Sequence, residues 1–161
     1  MRFFLTFLIV VLLIFGFKGK DLYSSKDKLL IEIISYVIEK GHYDPREIND
    51  DFSEKVFNKY LENIDGQHRF FLESDIKNFT RFKFEIDDQI KNADLEFFNL
   101  SYELILKRID QVKSFYKELL ETPFNFSKDE NIKLDYKNQS YYISQIQLKK
   151  YWRSRLKLST L

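Results

Sequence analysis

Four serines stand three residues ahead of a lysine: Ser25 with Lys28, Ser74 with Lys77, Ser114 with Lys117, and Ser154 with Lys157. At that spacing a lysine can serve as the base for a serine nucleophile. All four pairs fall at the caps or on the faces of amphipathic segments, with no glycine-rich loop nearby to supply oxyanion donors. The S-D-N and K-T-G companions are missing, and a chain with 12 serines and 19 lysines forms such pairs by chance. The stretch GQHRFFLESDI, residues 66–76, gathers His68, Arg69, Glu73, Ser74 and Asp75 around an apolar trio, which makes it either a chemical site or a joint between helices. His42 and His68 are the only imidazoles, and Asp65 and His68 are separated by the helix-ending Gly66, which spoils a Glu-x-x-His type of metal pair. Asp50/Asp51 and Asp87/Asp88 are adjacent in sequence and point in different directions, so they read as capping and solvated groups, not as an opposed acid and base. No metal and no cofactor is called for.

The charges nearly cancel, with 26 basic and 25 acidic side chains. That argues against nucleic acid, whose binding needs clustered positive charge. The basic group Lys149, Lys150, Arg153, Arg155 and Lys157 around Trp152 reads as a solvated helix face flanking a buried tryptophan. Cysteine is absent, which removes disulfides, thiol chemistry and thiolate zinc sites.

The elements that must position these groups are helices. Residues 1–21 hold an apolar run from Phe3 to Phe17 followed by Lys18 and Lys20. As a helix the run reaches roughly 22 Å, short of the roughly 30 Å hydrocarbon core, so it reads as a signal peptide or an N-terminal anchor. Leu29, Leu30, Ile33, Ile34, Val37 and Ile38 then mark a helix near 25–40, opened by Ser24 or Ser25 and ended by Gly41. Pro45 holds a loop, and Asn49, Asp50 and Asp51 offer caps for a second helix near 51–64 with Phe52, Val56, Phe57, Tyr60, Leu61 and Ile64 on one face.

A third helix begins at Ser74 or Asp75 and runs to about Asn92 through Ile76, Phe79, Phe82, Ile86 and Ile90. The longest, 95–121, is capped by Asp94 and carries two apolar lines. Phe98, Tyr102, Ile105, Ile109, Val112, Tyr116 and Leu119 form a seam, and Phe97, Leu104 and Phe115 lie about 100° away. This helix should therefore pack on two sides. Residues 124–143 read as a long connection with a short strand near Ile132 to Tyr136, and a last helix from Ser144 lacks a stop signal before Leu161. The expected fold is an all-α multi-helix bundle with one long two-sided helix, preceded by the hydrophobic segment.

The stretch 42–79, HYDPREINDDFSEKVFNKYLENIDGQHRFFLESDIKNF, resembles the N-terminal helical domain of tail-specific, or carboxy-terminal processing, proteases of bacterial envelopes. The matching positions are His42, Tyr43 and Pro45 in a turn, Tyr60, Leu61 and Asp65 at a helix end, Phe70, Phe71 and Leu72, then Ser74 and Asp75. YWRSRLK (151–157) resembles the Trp-Arg-x-Arg helix that closes the same domain, through Trp152, Arg153 and Arg155. The resemblance covers roughly 28–161. It implies that GQHRFFLESDI is a joint, with the aromatic-Leu run anchored in the core, Ser74 capping the next helix and Asp75 set against its dipole.

The resemblance also implies a peptide-binding PDZ domain and a serine-lysine protease domain that this chain does not include, so no catalytic residue is carried over. Residues 22–161 would be a non-catalytic scaffold whose partners are those two domains, in the same protein or a split gene product, or an envelope adaptor. The implied location is the periplasm or the periplasmic face of the inner membrane, with the membrane itself a partner if the N-terminal segment is retained. The competing reading is a stand-alone, membrane-tethered helical interaction protein of the envelope. A free-standing enzyme would need a site that the sequence does not display.

Overall fold

The computed structural model describes residues 25–132, 135–136 and 139–161. The hydrophobic segment 1–21 and part of the strand expected near 132–136 lie outside them. The order is α1 (Ser25–Tyr36), continued by a π-helical turn at Val37–Gly41, then α2 (Asp50–Asp65), α3 (Glu73–Phe79), a 3-10 turn at Thr80–Phe82, α4 (Ile86–Lys91), α5 (Glu96–Glu121) and α6 (Gln145–Ser159). The described residues contain no strand, only an isolated parallel bridge between Leu72 and Tyr142.

Local chemistry explains most of the boundaries. Asn49 caps α2 by accepting from the Phe52 N–H at 3.1 Å, and Asp50 and Asp51 complement the helix dipole. Asp94 accepts from the Glu96 N–H at 3.0 Å, and Ser144 caps α6. The expected single helix 74–92 is instead broken at Thr80–Phe82. No proline or glycine lies there, so packing decides: the break lets Phe79, Phe82 and Ile86 all enter one core.

That core gathers Phe57, Leu61, Phe71, Phe79, Phe82, Ile86, Phe97 and Ile105. Phe97 stands at its centre, its ring 5.4 Å from Phe57, 5.2 Å from Tyr60, 5.9 Å from Phe79 and 5.5 Å from Phe82. A second, smaller core joins Leu72, Val112, Leu148 and Tyr151. α5 runs through both. Its buried line is Phe97, Ser101, Ile105, Val112 and Leu119, so the N-terminal part of the expected seam is rotated: Phe98 and Tyr102 are exposed and stack on each other at 5.8 Å. The rings converging on Phe97 set this register. The small Ser101 lets Tyr60 approach, and because the Ser101 hydroxyl donates to the Phe97 carbonyl, Tyr60 donates to Ser101 at 2.8 Å.

Candidate functional site

Asp65 ends α2, and the chain folds back over its side chain. The Arg69 N–H donates to one carboxylate oxygen at 2.7 Å, and the Phe70 and Phe71 N–H groups donate to the other at 3.1 and 2.8 Å. A carboxylate thus supplies the acceptor for three successive backbone donors that a tight turn would leave unpaired. Burial pushes the Asp65 carboxyl up to about 6, against the pull of those three donors and of the Arg69 charge.

Gly66 is required for close approach, since a Cβ there would collide with the Glu62 carbonyl. The left-handed residue is His68, at φ 51°. Its N–H donates to the Asp65 carbonyl at 2.9 Å, and its ring stacks on Tyr141 with centroids 3.8 Å apart. Burial lowers the His68 pKa, partly offset by a bond from the ring to the Gln139 backbone, and burial together with the Asp65 charge raises that of Tyr141. A carboxyl near 6 and an imidazole of lowered pKa in one turn have the ingredients of an acid-base pair. Both carboxylate oxygens are occupied by backbone donors, however. The arrangement holds a turn.

The turn then divides its apolar residues between the two cores. Phe71 is fully buried in the first, Leu72 enters the second, and Phe70 packs against both. Asp75 secures the exit: it accepts from the Leu72 N–H at 2.9 Å and receives a two-pronged bond from Arg108 of α5, Nε at 2.8 Å and Nη2 at 2.7 Å. Leu72, not Ser74, is the cap residue of α3, and Ser74 is exposed in the first turn. Capping through Asp75 makes a serine at the cap unnecessary.

α6 closes the joint from the other side. The Trp152 Nε1–H donates to the Arg69 carbonyl at 3.0 Å, and the ring packs on Phe70 and Tyr116. Arg153 donates to the Leu119 carbonyl at 2.9 Å, satisfying the end of α5, and Arg155 donates to the Tyr136 hydroxyl at 2.9 Å.

The remaining singled-out residues are dispersed. Leu61 lies in the first core, while His42 is exposed and bonds only within its own turn, to the Asp44 backbone. Tyr43 is wholly exposed, and Pro45 is exposed beside it. Ser114 and Ser154 donate to their own helix backbones, and Lys157 pairs with Glu130 at 3.2 Å. Lys149 pairs with Glu118. The basic cluster is therefore largely tied into the bundle.

Among the described residues no group of three histidine, cysteine or acidic side chains could hold a metal. Asp87 departs from the solvated role expected of it. It is buried, accepts from the Ser53 hydroxyl at 2.7 Å and pairs with Lys91 at 2.8 Å. Burial works to raise its pKa, but these bonds outweigh it and hold the carboxyl below its ordinary range. The parts that sequence reasoning missed, Arg108, Tyr141 and the Ser53–Asp87 pair, are all long-range partners with no local motif.

These features define a helical domain pinned at a carboxylate-centred joint. Residues 34–161 match the family model of the tail-specific protease N-terminal domain. A tail-specific protease of Haemophilus influenzae is 26% identical over 135 residues, covering 83% of this chain and 19% of that protein. The chain belongs to the tail-specific protease N-terminal domain family. It spans about a fifth of the length of that relative.

Proposed function

We infer that this chain is the non-catalytic helical scaffold of a tail-specific serine protease of the bacterial envelope. The PDZ and serine-lysine protease domains that complete the machinery belong to the remainder of the protein or to a separate gene product. Its activity would be cleavage of exported proteins recognised by their C-termini. The observation that carries this reading is the family match over residues 34–161, in which the motif residues of 60–75 and 152–155 are spent on holding the two cores together. The apolar run at Phe3–Phe17 supports export to the periplasm or its inner-membrane face.

A stand-alone envelope interaction protein is the second reading, favoured by the exposed Phe98, Tyr102 and Leu106 at four-residue steps on α5. Intact-mass analysis of the natural gene product from a membrane-containing lysate separates the two. A species far heavier than 19.6 kDa that carries these peptides supports the protease; a species at or just below that mass supports the stand-alone protein.

A further inference from the structure

We propose that the outward face of α1 is a membrane-surface contact, seating the bundle on a bilayer that contains anionic phospholipid. Leu29, Leu30, Ile33, Ile34 and Val37 are each about half exposed, and α1 has no buried residue. At 100° per residue Leu29, Leu30, Ile33 and Ile34 of α1 span an arc of about 140°, the width expected of a helix lying in the lipid interface, and Val37 belongs to the π-helical turn that follows. The less exposed positions Lys28, Ile31, Ser35 and Ile38 form the opposite, bundle-facing side.

What singles out a bilayer as the occupant is the chain that precedes α1. Seven residues, 18–24, separate the apolar run Phe3–Phe17 from Ser25. Seven residues reach at most about 25 Å when fully extended. With the run inserted, α1 is held within that distance of the lipid, close enough for its apolar face to meet the surface. The intervening Lys18 and Lys20 supply the charge that anionic headgroups attract. Glu32 and Glu39 lie off the apolar arc, where a helix at rest on lipid would keep them in water. The family match begins only at residue 34, so the first nine residues of α1 precede it. The contact therefore belongs to how this chain is mounted, separately from the scaffold role.

The chain has no cysteine, so single nitroxide labels report one site at a time. The test takes the full chain, its N-terminal segment verified by intact mass, in vesicles of phosphatidylethanolamine with a minority of phosphatidylglycerol. Labels are placed singly at Leu29→Cys, Leu30→Cys, Glu32→Cys, Ile33→Cys, Ile34→Cys and Glu39→Cys. The expected result is loss of collision with a water-soluble nickel quencher and gain with oxygen at 29, 30, 33 and 34, with the reverse at 32 and 39. Water-like exposure at all six positions overturns the proposal. So does spin-spin broadening between labelled copies that persists without lipid, which would assign the face to a second copy of the chain. Recovery of the chain only without residues 1–21 also overturns it, because the tether is then gone.

Discussion

In α2, Phe57 and Leu61 are 4% and 8% exposed; in α1, Leu29 and Ile33, at the same four-residue spacing, are 56% and 52% exposed. The two helices have the same kind of apolar face. They differ in what stands opposite. α2 meets the ring cluster centred on Phe97 and is fixed at its end by the Asp65 turn, whereas α1 leans on the short α4 and is followed by an exposed loop. Apolar periodicity therefore says which side of a helix avoids water, and only the tertiary partner says whether that side is covered.

The largest expected effect is at the point where the rings converge. Phe97→Ala should cost about 4 kcal/mol in urea unfolding of residues 22–161, the range for deleting a buried aromatic ring. An equally large loss from a substitution in α1 would break the contrast between the two helices. Arg108→Ala, which strands the buried Asp75 carboxylate, should cost about 3 kcal/mol, and Arg108→Lys should restore only part because the two-pronged geometry is lost.

The joint should also leave a pH signature. The Asp65 carboxyl titrates near 6 when folded and near 3.8 when unfolded, so the fold favours its protonated form. Its contribution is complete below about pH 4 and is lost as pH rises through 6, by about 3 kcal/mol at full effect. Relative to Asp65→Asn, the wild-type chain should therefore lose stability between pH 4 and 7. His68, whose pKa is lowered, acts with the opposite sign, its contribution fading as pH falls below 6.5, so the comparison is best made in His68→Gln backgrounds. The smallest effect belongs to α1, where Ile34→Ser should change stability by no more than about 0.5 kcal/mol while weakening association with lipid vesicles.

Much of this was legible in the sequence. Caps at Asn49 and Ser144 and the stop at Gly66 follow from local chemistry that operates within a few residues, Asp94 bonds the first turn of α5 although Leu95 is its cap residue, and the closing role of Trp152 was implied by the family resemblance. The break between α3 and α4, the rotation of the α5 register and the Asp75–Arg108 and Ser53–Asp87 bonds were not, because each depends on residues more than thirty positions apart or on a crowd of rings competing for one core. His68 shows the limit clearly. Its type suggested chemistry, while its place, a left-handed turn residue stacked on Tyr141, is set by Asp65 three residues earlier and by a segment more than seventy residues later.

The most direct test of the claim that 65–76 is the pin of the fold is native-state hydrogen exchange on residues 22–161. The account predicts that the Phe71 N–H, donated to Asp65, exchanges only through global unfolding, while the amides of α1 exchange through local opening at far lower cost. Equal protection of the two, or a Phe71 amide that exchanges as fast as those of α1, would contradict it.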